Sequence, residues 1–341
     1  MGVKKGKQTV LFDKSVYVKN FYSSVGKLEG EGPLGKYFDV VYNDEYIEAK
    51  NWEQAENNIL KNTVTGVFAR ASLTPDEVDY AFSGDLLNQC TASSFALKDM
   101  GIAYYGLYGA CSTMAESMSL GSVMVDAGYG KNVLATTSSH FCSSEKQYRF
   151  PLEYGGVRTP SAQWTVTGSG ALILTDEKSH ICVDSITTGK MVDFGVTDSS
   201  NMGAAMAPAA ADCILAHFKD TGYDINHYDC IVTGDLGIVG STLLIELLQK
   251  ENVDISAIHK DCGSMIFDPE RQNTNSGGSG CGCSASVFCG YFCKKLQQAS
   301  IGRMLLVCTG ALMSPTTYQL GETVVGIAHA VGLSYEDFSE G

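Results

Sequence analysis

Apolar residues recur at intervals of three and four along one segment near the N-terminus. Leu60, Val64, Val67 and Ala71 show this spacing within residues 52–71. Because an α-helix has 3.6 residues per turn, residues at this spacing share one face. The pattern therefore predicts an amphipathic helix from Trp52 to Ala71.

Short apolar runs rich in β-branched and aromatic residues predict strands. An extended stretch covers residues 10–26, a buried strand is predicted at residues 78–83, and further strands are predicted at residues 102–107, 132–137 and 324–331. Helical patterns alternate with these runs, which indicates a mixed α/β fold.

Two later segments lack the charged stripe of a surface helix. Glu116 is the only charged residue between Cys111 and Val125, and residues 281–293 contain none. A helix that carries almost no charge is typical of a buried position. We therefore predict that the helix after Cys111, which extends to about residue 127, is buried on all sides.

An internal repeat relates the two halves of the chain. Gly84-Asp85-Leu86 recurs as Gly234-Asp235-Leu236, and Cys111-Ser112 recurs as Cys283-Ser284. The strand at Val133 follows Cys111 by the same number of residues as the strand at Leu305 follows Cys283. We place the halves at residues 1–178 and 179–341. One buried helix in each half predicts two sheets around a central helix pair, with outer helices completing five layers.

Composition and charge narrow the class of protein. The chain has 341 residues, a length that is enough to bury a core without support from disulfides or metals. Of these residues, 44% are apolar and 18% are charged. With 24 Lys and Arg residues against 38 Asp and Glu residues, the net charge is −14. An acidic chain without a basic run is a poor electrostatic match for nucleic acid or anionic lipid. We expect no nucleic-acid partner.

Cysteine usage and targeting patterns predict a reducing compartment. No apolar run of signal-peptide length follows the basic N-terminal residues, and no apolar stretch has the length of a membrane span. The 12 cysteines are therefore expected to be free thiols in the cytoplasm. Cys281 and Cys283 lack a second ligand pair at the spacing of a zinc site.

Four segments resemble motifs of the thiolase and ketoacyl-synthase superfamily. They are Gly109-Ala110-Cys111-Ser112, Thr167-Gly168-Ser169-Gly170-Ala171, Gly280-Cys281-Gly282-Cys283-Ser284-Ala285-Ser286 and Gly310-Ala311-Leu312. The first resembles the nucleophile motif, and the third resembles the Gly-Asn-Thr-Ser-Ala-Ala-Ser segment of ketoacyl synthase III. The resemblance implies the thiolase fold, a five-layer αβαβα sandwich of two duplicated halves. It also implies a homodimer that pairs through residues 102–107.

A more specific resemblance is to the stage V sporulation protein AD family. It rests on an ordered set of segments: Glu31-Gly32-Pro33-Leu34-Gly35, residues 84–89, Glu153-Tyr154-Gly155-Gly156, residues 206–212, Asp261-Cys262-Gly263 and residues 309–315. The resemblance implies a binding protein, not an enzyme, for pyridine-2,6-dicarboxylic (dipicolinic) acid, which enters the developing spore with calcium. It implies no cofactor beyond calcium borne by that ligand. The implied partners are membrane proteins of the same sporulation operon, and the implied location is the forespore cytoplasm at the inner spore membrane.

Cys111 is the principal candidate site residue, and its position supports two interpretations. The N-terminus of a helix offers free N–H groups and a positive partial charge, which lowers the pKa of a thiol and also favours bound carboxylates. Cys111 is thus either a nucleophile for a ketoacyl-synthase-like acyltransferase or part of an anion site. The resembled enzymes use a His and an Asn, or two His residues, whose positions here are held by residues 234–236 and Cys281. The absence of these His and Asn residues favours a binding protein over a condensing enzyme. A third alternative is a protein that serves only as a scaffold and whose pocket is vestigial.

Further residues are candidates for contact with the ligand. His140 follows the strand that leaves the Cys111 helix, while Arg149 and Arg158 flank an apparent loop over the site and suit carboxylates. Asp85 and Asp235 either hold calcium or cap turns of the fold. The remaining candidates lie near the N-termini of the two uncharged helices, where a ligand would meet polar groups or exposed backbone atoms. They are Asn88, Ser279, Cys281 and Cys283. For His140 and the arginines, the alternatives are a capped loop histidine and solvated charges.

Overall fold

The computed structural model of the chain describes residues 1–148 and 157–338. The strands are β1 Val3–Lys5, β2 Thr9–Leu11, β3 Tyr17–Val25, β4 Val40–Val41, β5 Tyr80–Gly84, β6 Ala103–Leu107, β7 Asn132–Ser139, β8 Trp164–Thr165, β9 Gly168–Thr175, β10 Ile181–Thr187, β11 Cys230–Thr233, β12 His259–Asp261, β13 Gly278–Ser279, β14 Arg303–Leu312 and β15 Val325–Tyr335. The helices are α1 Lys27–Gly30, α2 Trp52–Ala71, α3 Thr91–Leu97, α4 Thr113–Asp126, α5 Phe141–Tyr148, α6 Met202–Thr221, α7 Gly237–Lys250, α8 Cys262–Ile266, α9 Pro269–Gln272, α10 Cys281–Val287, α11 Cys293–Gln297 and α12 Pro315–Gln319.

Two sets of five strands repeat the same order. The first set runs β3-β9-β7-β5-β6 and the second runs β10-β15-β14-β11-β12. In each set, the strand that precedes a Gly-Asp-Leu segment lies next to the edge strand. A single residue pair, Tyr17 with Cys182, joins the two sets into one continuous sheet. The strand order therefore agrees with the internal repeat in the sequence.

Helices form three layers around the two strand sets. Helices α2 and α3 cover the outer face of the first set, and α6 and α7 cover the outer face of the second. Helix α4 packs against strands of both sets, and α10 lies beside it. The layers follow the thiolase-like order predicted from the sequence. In the described part of the chain, no helix has the length and apolar character needed to cross a membrane.

Helix α2 has the bounds that its hydrophobic spacing predicts. The side chain of Asn51 accepts a hydrogen bond from the N–H of Gln54 at 2.9 Å and begins the helix. Ser72, in the left-handed conformation with φ 55°, ends it. Ile59 and Val64 are fully buried on the inner face. Local spacing and capping were sufficient to define this element.

Helix α4 is buried except along one stripe. Leu120 and Val123 are 40% and 42% exposed, so the prediction of burial on all sides is wrong for these two residues. Strand β6, whose residues 103–106 are exposed, is the last strand of its set. No further strand therefore covers the side of α4 that extends past it.

Candidate ligand-binding site

Cys111 lies in a tight turn between an edge strand and a central helix. Strand β6 ends at Leu107, Ala110 takes a left-handed conformation with φ 51°, and α4 begins at Thr113. The side chain of Cys111 is only 5% exposed. The turn therefore aims a nearly buried sulfur at the space between the two halves.

The carboxylate of Asp235 is the polar partner of this sulfur. Asp235 follows strand β11 and is fully buried. It accepts hydrogen bonds from the N–H of Gly280 at 2.9 Å, the hydroxyl of Ser279 at 3.1 Å and the hydroxyl of Thr309 at 2.8 Å. It also lies close enough to the thiol of Cys111 to act on the charge state of that thiol. Beside Cys111, the carboxylate thus connects the segment after β11 with residues 279–280 and with Thr309 on β14.

This arrangement keeps the thiol protonated. Burial raises the pKa of Cys111 well above its ordinary value, and the nearby carboxylate of Asp235 raises it further. Burial also raises the pKa of Asp235. The prediction that a helix end lowers the pKa of the thiol is wrong, because burial and the charge of Asp235 outweigh the lowering effect of nearby N–H groups such as that of Gly280.

A pocket opens beside Cys111 and holds about 780 Å³ including its mouth. Its walls come from both halves of the chain. The lining residues are Leu86, Ala110, Cys111, Ser144, Glu145, Tyr148, Gln163, Thr165, Ser199, Ser200, Met202, Ser279, Ala311 and Met313. A second chamber of about 500 Å³ shares Leu86, Ala110, Tyr148 and Met313 with the first and extends to Tyr108 and Thr317.

Two buried polar atoms in the pocket wall have no hydrogen-bond partner within the described residues. They are Oγ of Ser144 and Oε1 of Gln163. The amide nitrogen of Gln163 donates to the carbonyl oxygens of Asp235 at 2.6 Å and Gly278 at 2.8 Å, which fixes the orientation of the amide. Buried polar atoms without partners are uncommon and costly in folded proteins. Ser144 and Gln163 therefore keep unused hydrogen-bonding capacity next to the pocket.

Four of the predicted site residues gather at this pocket. Cys111 and Ser279 line it, and Asp235 lies behind them. Cys281 packs against Cys111 and Leu86, and its thiol donates to the carbonyl oxygen of Ala110 at 3.0 Å. The repeat and the glycine-rich segment therefore predicted four residues that the structure brings together beside one pocket.

Asp85, Asn88 and Cys283 have structural contacts elsewhere. Asp85 is buried and accepts hydrogen bonds from the N–H groups of Leu87 at 2.9 Å and Ser93 at 2.8 Å, so it caps its own turn. The side chain of Asn88 is exposed and accepts a hydrogen bond from the hydroxyl of Tyr108 at 3.3 Å. The thiol of Cys283 contacts the carbonyl oxygen of Gly234 at 3.5 Å inside the central core.

His140 is also used within the fold. Its Nε2 bonds the carbonyl oxygen of Glu45 at 2.8 Å, and its Nδ1 accepts from the N–H of Cys142 at 3.1 Å. Burial lowers the pKa of His140. None of the six histidines, all of which are described, belongs to the pocket lining. The alternative of a capping histidine therefore describes His140, and no imidazole stands beside the sulfur.

The two arginine predictions have different outcomes. Arg149 lies outside the described residues, as does the segment Glu153-Tyr154-Gly155-Gly156. Arg158 is not solvated: its Nη2 forms an ion pair with Glu145 at 2.9 Å, and its Nη1 donates to the carbonyl oxygen of Gln163 at 3.1 Å. Arg158 does not line the described pocket, so its expected direct contact with a ligand is not seen there.

Sequence reasoning missed most of the opposite wall. Gln163 and Thr165 precede the Thr167–Ala171 motif, and Ser199 and Ser200 form a polar run just before the nearly uncharged start of α6. Neither position stands out without knowledge of the three-dimensional neighbours. Ala311 and Met313 lie in the 309–315 segment and could have been included on that ground.

The strand order and the helix layers give this chain a thiolase-like fold, which condensing enzymes share. The 3-oxoacyl-[acyl-carrier-protein] synthase III of Aquifex aeolicus is 13% identical, with a TM-score of 0.56 over 94% of this chain and 100% of that one. The cerulenin-bound OleA of Xanthomonas campestris is 11% identical, with a TM-score of 0.62 over 95% and 98% of the two chains. At these identities, the similarity shows the fold alone.

Sequence similarity then specifies the family. The profile described as stage V sporulation protein AD matches residues 6–334. The stage V sporulation protein AD of Bacillus subtilis (strain 168) is 41% identical over 326 residues, which are 96% of each chain. This chain therefore belongs to the stage V sporulation protein AD family, a family of sporulation proteins with a thiolase-like fold.

Proposed function

We propose that the pocket beside Cys111 binds dipicolinate reversibly, for uptake of this dicarboxylate into the developing spore. The observation that carries the proposal is the pair of unpartnered polar atoms, Oγ of Ser144 and Oε1 of Gln163, in an otherwise well-bonded wall. Membership of a sporulation family supports the spore as the setting. The resemblance described above supplies the identity of the ligand.

The lining suits a small flat ligand with polar ends. Leu86, Met202 and Met313 offer apolar contacts, and Tyr148 offers an aromatic one. Hydroxyl groups from the serines and Thr165 supply donors for carboxylate oxygens.

The charges around the pocket favour calcium as part of the cargo. No Lys, Arg or His lines its described wall, whereas Glu145 does. A dianion therefore gains from a cation that it brings with it. The amide oxygen of Gln163 is the kind of ligand that Ca²⁺ accepts. Within the described residues, no group of three His, Cys, Asp or Glu side chains forms a metal site of its own.

We propose binding rather than acyl transfer at Cys111. A condensing enzyme needs a thiolate and groups that stabilise an oxyanion and move a proton. Here burial and the nearby carboxylate of Asp235 raise the pKa of the Cys111 thiol. The fold still makes acyl transfer the alternative. Incubation with acyl-coenzyme A donors followed by intact mass measurement should show unmodified protein; an acyl adduct on Cys111 would support the enzyme.

The protein would then act as a binding component beside membrane proteins of the same operon, in the forespore at the inner spore membrane. Affinity capture of the tagged chain from sporulating cells should recover those proteins. A chain recovered alone under mild detergent would contradict the partnership.

Calorimetric titration tests the ligand. Dipicolinate should bind saturably at one site per chain, and calcium should strengthen its binding. Benzene-1,3-dicarboxylate is the matched control, because it keeps both carboxylates but lacks the ring nitrogen that helps to chelate calcium. Calcium should not improve its binding. Absence of saturable heat for dipicolinate with and without calcium would contradict the proposal.

A further inference from the structure

The carboxyl group of Glu56 contacts the helix that forms one wall of the pocket. Glu56 belongs to α2 and is fully buried. Its Oε2 lies 2.6 Å from the hydroxyl of Ser143, in the first turn of α5, and its Oε1 lies 3.3 Å from the hydroxyl of Ser138 on β7. Helix α5 brings Ser144 and Tyr148 to the pocket. One buried side chain therefore connects the outer helix α2 with a wall of the pocket.

The hydrogen bonds around Glu56 are complete only when Glu56 carries a proton. The hydroxyl of Ser143 lies within hydrogen-bond distance of two acceptors, Oε2 of Glu56 and the carbonyl oxygen of His140 at 3.0 Å. A hydroxyl group has one hydrogen and donates fully to only one of them. A protonated Glu56 donates to Ser143, which leaves the hydrogen of Ser143 for His140. The hydroxyl of Ser138 then donates to the other oxygen of Glu56.

The neighbouring carboxylate of Asp85 also favours a proton on Glu56. Burial raises the pKa of Glu56, and the charge of Asp85 raises it further. Asp85 accepts hydrogen bonds from two backbone N–H groups, whereas the contacts of Glu56 are with hydroxyl groups. Because backbone N–H donors stabilise a carboxylate, the charge of the pair belongs on Asp85 and the proton on Glu56.

In the described part of the chain, no cation compensates a charge on Glu56. Lys146, on α5, forms its ion pair with Glu53 at 2.6 Å. Burial lowers the pKa of His140, and it raises the pKa of the Cys281 thiol on α10 well above its ordinary value. An ionised Glu56 would therefore be a buried charge with only hydroxyl groups around it, which is much less stable than the neutral acid.

We propose that Glu56, in its protonated form, is a positioning residue that seats α5 in the pocket wall, so that the pocket loses affinity for its ligand when Glu56 ionises. Two facing carboxylates without a cation repel each other, so Glu56 and Asp85 would move apart. Helix α5 contacts both regions, because its last residue, Tyr148, donates to the carbonyl oxygen of Leu86 at 2.7 Å. The separation would therefore displace the helix. The inference rests on the proposed function, since it concerns the regulation of that same site.

Calorimetric titration of the full chain with dipicolinate, at one calcium concentration from pH 6 to pH 9, tests the proposal. The carboxylates of dipicolinate stay ionised over this range. Wild-type binding should weaken about tenfold by pH 9. Glu56→Gln should bind like the wild type at pH 6 and keep that affinity at pH 9, because its amide donates to Ser143 as the protonated acid does. A flat wild-type profile, or a decline that Glu56→Gln shares, would overturn the inference.

Two further variants control this titration. Asp184→Asn replaces another acid with a raised pKa, which bonds Ser334 and not α5, and it should keep the wild-type profile. Should Glu56→Gln not fold, Ser143→Ala takes its place. Ser143→Ala removes the contact between Glu56 and α5, so its binding should be weak already at pH 6 and should no longer decline with pH. A wild-type profile in Ser143→Ala would contradict the positioning role.

Hydrogen exchange distinguishes a displaced helix from simple repulsion of the ligand by a charge on Glu56. The ligand-free wild type and Glu56→Gln are compared at one pH at a time. The amides of residues 141–148 should exchange several-fold faster in the wild type at pH 9 and equally fast at pH 6. Equal exchange at pH 9 would refute the positioning role even if dipicolinate binds. A wild type that binds no dipicolinate at any pH refutes the proposed function, whereas the exchange of α5 still decides the role of Glu56.

Discussion

The carboxylate of Asp235, in the second half of the chain, lies close enough to the thiol of Cys111, in the first half, to raise the pKa of that thiol. Asp85 occupies the equivalent position after the matching strand, yet it caps its own turn through Leu87 and Ser93. The two halves therefore share one strand order, but their equivalent aspartates make different contacts. Asp235 bonds Ser279 in the pocket wall, whereas Asp85 bonds residues that do not line the pocket.

Replacing Asp235 should make Cys111 more reactive. The carboxylate raises the pKa of the thiol, so Asp235→Asn should lower that pKa and increase alkylation of Cys111 by iodoacetamide at pH 8 by roughly tenfold. Peptide mass spectrometry identifies Cys111 among the other thiols. Asp85→Asn is the matched control and should leave the rate unchanged. Equal rates for wild type and Asp235→Asn would show that Asp235 does not control the thiol.

Filling the pocket should abolish binding, whereas removing the sulfur should not. Cys111→Trp places a large side chain at a nearly buried position that lines the cavity, so dipicolinate binding should fall below detection in calorimetry. Cys111→Ser keeps a small polar group and should bind within about threefold of the wild type. Loss of binding in the serine variant would indicate a role for the sulfur itself.

Buried Glu29 should make the protein less stable as the pH rises. Burial raises its pKa from 4.5 to about 8, although the N–H of Thr167 donates to it at 2.9 Å. The folded protein therefore keeps a proton that the unfolded chain loses near pH 4.5. Between these values, the free energy of unfolding should fall by up to about 1.4 kcal/mol per pH unit from this group.

Denaturant unfolding of Glu29→Gln across pH 5 to 8 measures this effect. Glutamine mimics the protonated acid, so the variant should match the wild type near pH 5 and become progressively more stable than it toward pH 8. Glu31→Gln, at an exposed neighbouring position, should show no such divergence. Parallel curves for wild type and Glu29→Gln would mean that Glu29 is ionised in the fold.

The exposed edge of strand β6 should mediate a homodimer. Tyr104 and Tyr105 are 37% and 50% exposed on the last strand of the first set, beside the exposed apolar stripe of α4. An uncovered strand edge with apolar side chains favours association. Sedimentation should give the mass of two chains for the wild type and of one chain for Tyr105→Lys. Tyr318→Lys, a similarly exposed substitution on α12, should leave the dimer intact; a wild-type monomer would contradict the pairing.

The sequence predicts local elements well and contacts between distant residues poorly. The bounds of α2 follow from hydrophobic spacing and the Asn51 cap, and the repeated Gly-Asp-Leu segments marked equivalent strand ends. The pairing of Cys111 with Asp235 depends on how the two halves face each other, which no local pattern records. The contacts of His140 and Arg158 are not predictable from the sequence for the same reason. Their partners, which are Glu45 for His140 and Glu145 and Trp164 for Arg158, come near only in the folded chain.

The central claim is that dipicolinate occupies the pocket beside Cys111 without a covalent bond. A crystal structure of the protein soaked with dipicolinate and calcium tests it most directly. We expect density for the intact ligand within hydrogen-bond distance of Ser144 Oγ. Gln163 Oε1 should face the cation, and Cys111 should be unmodified. An empty pocket at saturating ligand, or an acyl group on the sulfur, would contradict it.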